Sequence, residues 1–393
     1  MKKLLTFVLV AAVLGGAAFA DDAKVMPKMV GRVYLAPTFS FAPGGYDKDG
    51  SYEKYDDGSV KLFNLGLAVE YGVIDWITAA VQWAPGWTPW SDTSAVTAPL
   101  GFDDSNVNGV ADLFVGAKIQ FLGPKAPLVT ETFRAAIAPG VIIPLPGPDF
   151  PAEFKEAAQG NKATLSSMDN HVFATGARLY FDWQINDKFF INLYNETLVY
   201  PVKKDLNKDS PTLAVIKGQL LQNASTFATI IDAAITSGGG TSPGVPVLTP
   251  AVENAINAVD GEVNYKYKLT FEIEPVFTLP LGEGISLSAG LPVNYTFTPA
   301  PDYTVTVKAV NVGGTDIPGT QEMLEGYVLP SFSEGDPSHA LSLKPNVSVF
   351  LTSTPLPLEF KVQYEIPLWG KNTMARHNLT LQIKAYFALP GAL

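Results

Sequence analysis

The chain has no cysteine. That absence removes disulfide frameworks, thiol nucleophiles, thiolate zinc sites and a lipid-anchored amino-terminal cysteine. Histidine is almost as scarce. His171, His339 and His377 are the only three, and none lies within ligand spacing of another, which argues against zinc enzymes and most imidazole-based catalysis. No metal or cofactor is expected. Charged residues make up only 17 % of the chain, against about 25 % in ordinary domains. The formal total is −11, and setting aside Lys2 and Lys3 makes it −13. A nucleic-acid binder needs the opposite sign to displace counterions from phosphate, so that class is excluded.

Long apolar runs are missing too, past the first twenty residues. Lys2 and Lys3 precede the apolar stretch Leu4 to Leu14, and Ala18-Phe19-Ala20 follows. A basic start, a short apolar centre and an A-x-A site predict a secretory signal peptide over residues 1–20, cut after Ala20. The stretch is short of the ~20 apolar residues that span a bilayer as a helix. Nothing after it comes near that length. Apolar residues nevertheless reach 47 %, so residues 21–393 must hide their apolarity in another way. With 34 Gly and 31 Pro in the sequence, a mostly helical solution is disfavoured.

What is present is a period of two. Between 263 and 281, Tyr265, Tyr267, Leu269, Phe271, Ile273, Phe277 and Leu279 alternate with Lys266, Lys268, Thr270, Glu272, Glu274 and Thr278. Successive strand side chains point to opposite faces, so one face is apolar and the other polar; on a helix the same residues would scatter. The pattern recurs at 33–41, 60–71, 76–84, 110–121, 132–145, 172–183, 189–200, 285–298, 340–351, 356–368 and 379–389, giving twelve candidate strands. Strands of soluble proteins cluster near 5–6 residues, whereas a bilayer-crossing strand needs about 9–11, and most of these are that long or longer.

The connections alternate as well. Short links at 73–75, 123–130, 185–188, 281–284 and 352–355 interleave with longer ones at 42–59, 85–108, 146–169, 201–262 and 299–339, and 369–378 is intermediate. Short periplasmic turns, long outer loops and an even strand number characterise outer-membrane barrels. Trp76 and Trp183 flank short turns, while Trp83, Trp87, Trp90 and Trp369 lie toward long loops, as interfacial girdles require.

The predicted fold is therefore all-β: a transmembrane antiparallel up-and-down barrel of twelve strands, forming one domain over 21–393 in the cell outer membrane, with both termini periplasmic. The count becomes fourteen if the alternating segment Tyr303–Ala309 joins the wall. A secreted sandwich is the rival fold, with the apolar rows facing each other rather than lipid.

In a barrel the charged rows face inward. The expected lumen-facing residues are Glu70, Asp112, Lys118, Arg134, Arg178, Asp182, Glu196, Lys266, Lys268, Glu272, Glu274, Lys344, Glu359, Lys361, Glu365 and Lys384. Mixed signs fit cross-strand ion-pair ladders or the lining of a selective pore. Eight strands are filled by side chains and sixteen leave an open channel, so twelve to fourteen imply a narrow or plugged passage.

The segment 201–262 departs from the pattern. Leu213, Ile216, Leu220, Phe227, Ile231 and Ala234 recur at helical spacing, residues 237–244 form a flexible break, and Thr249 with Pro250 reads as the start of a second helix. Such a helical pair on an outer loop is either a lid on the rim or lumen, or a hydrophobic capture surface bearing Leu213, Ile216, Leu220, Phe227 and Ile231.

Residues 67–76 (LAVEYGVIDW) and 108–118 (NGVADLFVGAK) carry a family resemblance. They resemble strand pairs of the outer-membrane long-chain fatty-acid and aromatic-hydrocarbon transporters, with a Y-G-x-x-D-W turn followed by a G-x-x-D-x-x-x-G-x-K strand. The similarity covers about 60–200. It implies a monomeric barrel taking small hydrophobic compounds through outer loops that bear apolar helices, with membrane lipid and the barrel-assembly machinery as partners. Two features differ from the fatty-acid pattern. Only about a dozen residues separate Asp21 from the first strand and no Asn-Pro-Ala occurs there, which argues against an amino-terminal hatch; the chain also ends past Phe387 without a terminal aromatic.

Two other functions compete with transport. A structural or adhesin barrel needs no passage. A barrel hydrolase would need groups such as Asp103, Asp104, Ser166, Ser167, Asp169 and His171 brought together at the outer rim.

Overall fold

The computed structural model describes residues 22–56, 58–97, 109–145, 171–209, 211–332 and 335–388. The expected leader, Asp103, Asp104, Ser166, Ser167, Asp169 and the last five residues lie outside the described residues.

Twelve antiparallel strands form a closed barrel. They are β1 (Val30–Ala42), β2 (Val60–Ile74), β3 (Ile77–Asp92), β4 (Leu113–Leu122), β5 (Phe133–Ile143) and β6 (Ala174–Gln184). The other half comprises β7 (Phe189–Val199), β8 (Tyr267–Gly282), β9 (Ile285–Gly290 with Val293–Thr298), β10 (Ser338–Leu343 with Asn346–Leu351), β11 (Leu358–Lys371) and β12 (His377–Ala388). Each strand pairs with the next, and β12 returns to β1 with Val30 opposite Ala388 and Phe41 opposite His377. No wall strand is left with an open edge, which a bilayer requires because it offers no water to unpaired backbone groups. Chain order equals spatial order, so the short connections gather at one end and the long ones at the other, with β1 starting and β12 ending at the short-turn end.

Prolines split β9 and β10. Leu291 N–H donates to the Pro275 carbonyl (3.1 Å), Lys344 N–H to that of Pro292 (2.8 Å) and Tyr364 N–H to that of Pro345 (3.0 Å). Proline cannot donate in return. A line of half-made pairs therefore crosses β8 to β11 at one level.

The faces are inverted relative to a soluble sheet. Along β8, Phe271, Ile273 and Phe277 are each nearly half exposed, while Thr270, Glu272 and Glu274 between them are buried. On β2, Leu67 and Val69 are exposed while Asn64 and Glu70 are buried. Trp87, Trp90, Trp183 and Trp369 also lie exposed on the outside. The apolar side of each strand faces out.

Tyr303–Ala309 does not join the wall. Asp302–Thr306 pairs with Asp260–Asn264, which pairs with Lys204–Asp205, in a separate three-stranded sheet. The alternation there has a different cause: Tyr303 and Val305 pack on a core contributed by two outer loops. That core joins helices α1 (Pro211–Gln222), α2 (Ala224–Ser237) and α3 (Val245–Asn257) of the β7–β8 connection to α4 (Thr320–Val328) of the β9–β10 connection. Leu248, Val252, Ile256, Val259 and Leu324 are completely enclosed there.

The helix expected at Thr249-Pro250 begins earlier. Gly244, at φ 86°, caps α3, and Pro246 occupies its first turn. Pro246 thus takes the place that a helix start offers to proline, where the missing N–H costs nothing. Thr249 instead hydrogen-bonds the Val245 carbonyl (2.9 Å) from within the helix.

Candidate solute passage

The inner face carries a connected polar belt. Arg32 on β1 donates to Glu70 on β2 (2.7 Å), and Gln82 on β3 donates to the other Glu70 oxygen (3.3 Å). Arg178 on β6 reaches past β4 and β5 to the Gln82 carbonyl oxygen (2.6 Å), and its Nε donates to Glu196 on β7 (2.6 Å). Tyr194 adds a hydroxyl to Glu196 (3.2 Å). Arg178 can reach so far because it lies on the Phe114 ring, 3.8 Å from its centroid. That ring lies flat over Gly116 and Gly140, where a Cβ would collide with it.

The opposite wall carries a second network. Glu272 accepts from Asn294 (3.0 Å) and pairs with Lys344 (3.5 Å), and Lys344 also approaches Glu365 (3.9 Å). Glu274 accepts from Asn192 (3.1 Å) and Asn346 (2.9 Å). Glu359 accepts from Lys384 (3.1 Å) and Tyr386 (2.8 Å), and Glu365 accepts from Ser342 (2.7 Å) and Asn378 (2.5 Å). Opposite charges in pairs and triads keep buried ions compensated, which matters because an unpaired buried charge is costly.

At the short-turn end the lumen contains a piece of the chain itself. Ala23, fully enclosed, donates its N–H to both Asp182 oxygens (2.9 and 3.1 Å), and its carbonyl accepts from Gln120 (2.9 Å). Lys118 donates to the carbonyls of Asp22 (2.9 Å) and Lys24 (3.4 Å). Met26 N–H bonds Thr78 (2.7 Å), Lys28 N–H bonds Asp75 (3.0 Å) and Met29 N–H bonds the Gly72 carbonyl (2.8 Å). Gly72 admits the segment, since a Cβ there would strike the carbonyls of Met26 and Pro27. Ala23 packs with Ala136, Ala138, Tyr180 and Tyr194. The short leader-to-strand distance does not preclude a plug, because eight extended residues reach well into a barrel at about 3.3 Å each.

Most of the expected inward residues occupy the inner rows. Arg134 lies opposite Asp182, Lys268 opposite Leu198 and Lys361 opposite Gln382. Lys266 differs. It sits in the turn before β8 at φ 62° and pairs with Asp302 (2.7 Å) in the outer-loop region, above the wall. Asp112 is held at the long-loop end by His171 (2.8 Å). The proposed capture residues Leu213, Ile216, Leu220, Phe227 and Ile231 are all buried in the core of the loop domain, so they offer no open surface; their helical spacing recorded a core face. Arg32 lies one residue before the alternating segment 33–41, and the strand that begins at Val30 places it on the inner row. Uncharged inward partners such as Gln82, Asn192, Asn294 and Asn346 lie in the same even-numbered rows, where alternation alone marks them.

No protein-family model matches the chain, and no curated protein does. Among solved structures it is similar to the COG4313 outer membrane channel from Pseudomonas putida F1, with a TM-score of 0.54 and 12 % identity over 94 % of this chain and 100 % of that one. The likeness shows the fold, a closed antiparallel β-barrel of twelve strands. A Pseudomonas aeruginosa FadL homologue matches over 91 % of this chain and 89 % of its own, at TM-score 0.35 and 9 % identity. The toluene transporter TodX of P. putida covers 93 % and 91 %, at TM-score 0.34 and 9 % identity. The likeness to the COG4313 channel extends over nearly the whole chain.

Proposed function

We propose that this chain forms an outer-membrane passage for small amphipathic or hydrophobic solutes, gated at its periplasmic end by residues 22–29. The outward rows are apolar and exposed where a soluble protein would bury them, and this supports insertion in a bilayer. The observation that carries the reading is the segment inside the barrel. It is held by a handful of hydrogen bonds to side chains and one strand carbonyl, not by a packed domain, and so can leave.

The solute class follows from the wall. Aromatic rings and cations lie together on the inner face: Arg32 over Tyr34 at 4.5 Å, Lys118 over Tyr180 at 4.2 Å and Arg178 over Phe114 at 3.8 Å. Such a lining suits molecules with an apolar body and one polar handle, such as aromatic or fatty compounds. Solutes enter by way of the loop domain at the outer end, and membrane lipid surrounds the wall.

Deletion of 22–28 from the full chain tests this in planar bilayers and proteoliposomes. Conductance and solute-driven swelling should rise at least severalfold over wild type. A correctly folded deletion variant that passes neither ions nor small aromatics would leave the barrel a surface or adhesin structure. The exposed side chains of Ile230, Val247, Tyr327 and Leu329 on the loop domain would then be its working face.

A further inference from the structure

Two of the three histidines face outward among aromatic rings: His339 bonds Tyr295 (2.7 Å), and His377 stacks on Phe41 and bonds Tyr364 (3.1 Å). His171 has different surroundings. It immediately precedes β6 at the long-loop end, with its backbone in the left-handed region at φ 47°. Its Nδ1 lies 2.8 Å from Asp112 Oδ1, and the two side chains are only 5 % and 4 % exposed. Asp112 continues the inner row of β4 and also accepts the N–H of Leu145 (3.1 Å), just past β5. Three adjacent strand ends thus fix one imidazole. A non-glycine residue kept in the left-handed region is a mark of local constraint, found often at binding sites.

The protonation pattern follows from the partner. A carboxylate only accepts, so Nδ1 carries a proton, and in the neutral imidazole Nε2 is then the acceptor nitrogen. That Nε2 is buried and has no hydrogen-bond partner among the described residues. It is directed away from Asp112, since the two ring nitrogens point to opposite sides of the imidazole. Two chain neighbours of the pair, Ala111 and Val172, are apolar and enclosed. Ala111 belongs to a buried cluster with Ala42, Val60, Leu62, Ala95 and Met374, and Val172 and Ala174 are enclosed.

We propose that the Asp112–His171 pair is a hydroxyl-binding site at the outer end of the lumen, taking the O–H of a phenol or alcohol carried by an amphipathic solute. The proposal rests on the passage reading above. A carboxylate solute has no proton to give and would meet a like charge on Asp112. An ammonium would have to shed its hydration among apolar side chains. A neutral hydroxyl satisfies the lone pair without either penalty.

With only three histidines to resolve, the test can be direct. Protein carrying ¹⁵N-histidine is titrated in detergent micelles with phenol, and separately with anisole, its methyl ether, which lacks the proton. Signals are assigned with His339→Gln and His377→Gln, both remote from the site. Phenol should shift the His171 Nε2 resonance saturably, anisole should not, and the other two histidines should stay still. His171→Phe should weaken phenol binding at least tenfold by equilibrium dialysis. Equal responses to phenol and anisole, or no response to either, would overturn the site. Proteoliposome swelling, read separately, reports on the passage: flux with a silent His171 refutes the site alone, and a responding His171 without flux refutes the passage alone.

Discussion

The barrel wall and the outer-loop domain are made from one chain and follow opposite rules. In the wall, Phe271 and Ile273 face outward while Glu272 and Glu274 are enclosed. In the loop domain, Leu248, Ile256 and Leu324 are enclosed, and Lys203, Glu262 and Asp260 lie outside. The difference teaches that burial is read against the local solvent. Hydrocarbon accepts apolar surface without cost, so the wall is held by its backbone ladder and its inward ion pairs. Water does not, so the loop domain condenses around an ordinary apolar core.

The sharpest way to break the comparison is to place one kind of charge in both regions. Ile256→Lys puts an ammonium in the fully enclosed loop core and should cost more than about 4 kcal/mol, enough to unfold that domain. Limited proteolysis should then cut between 205 and 330, while the barrel keeps its heat-modifiable migration in gels. Loss of the barrel as well would show that the loop domain is integral to the wall. Next in size is Ile273→Arg on the lipid face of β8. It should cost about 2–4 kcal/mol in denaturant unfolding from vesicles. In detergent the penalty should shrink, because micelles deform around the guanidinium; an equal penalty in both would count against a lipid-facing Ile273.

The smallest effect is a titration confined to the loop domain. Burial pushes the Tyr303 phenol up to about 12 from its ordinary 10. The unfolded chain therefore loses this proton first, and loop-domain stability should fall as pH rises from about 10 to about 12. Tyrosinate absorbance of wild type minus Tyr303→Phe checks this, and a difference spectrum titrating near 10 would show the ring to be solvated.

Much of the architecture was legible because it is local. Inner and outer rows follow from a period of two, and Glu70, Arg178 and Glu196 could be placed on the inner face from spacing alone. Strand ends were less legible, as Arg32 and Lys266 show. The first strand begins three residues before its alternation does, at Val30, and β8 begins only at Tyr267, after the alternation has started. The helical spacing of Leu213, Ile216 and Leu220 fits a lid as well as a capture surface, and the fold buries all three in the loop-domain core. Periodicity cannot decide between those two, because it reports a face and not what covers it.

The sequence alone supplied a count of twelve or fourteen strands, their facing and the two classes of connection, since each depends on neighbours a few residues apart and on the solvent that side chains meet. Only the tertiary structure decided that residues 22–29 turn back into the lumen, that loops from both sides of β8 and β9 share one core, and that His171 finds Asp112 across 59 positions. Those outcomes depend on closing the barrel. Closure brings together groups whose separation along the chain leaves no periodic trace.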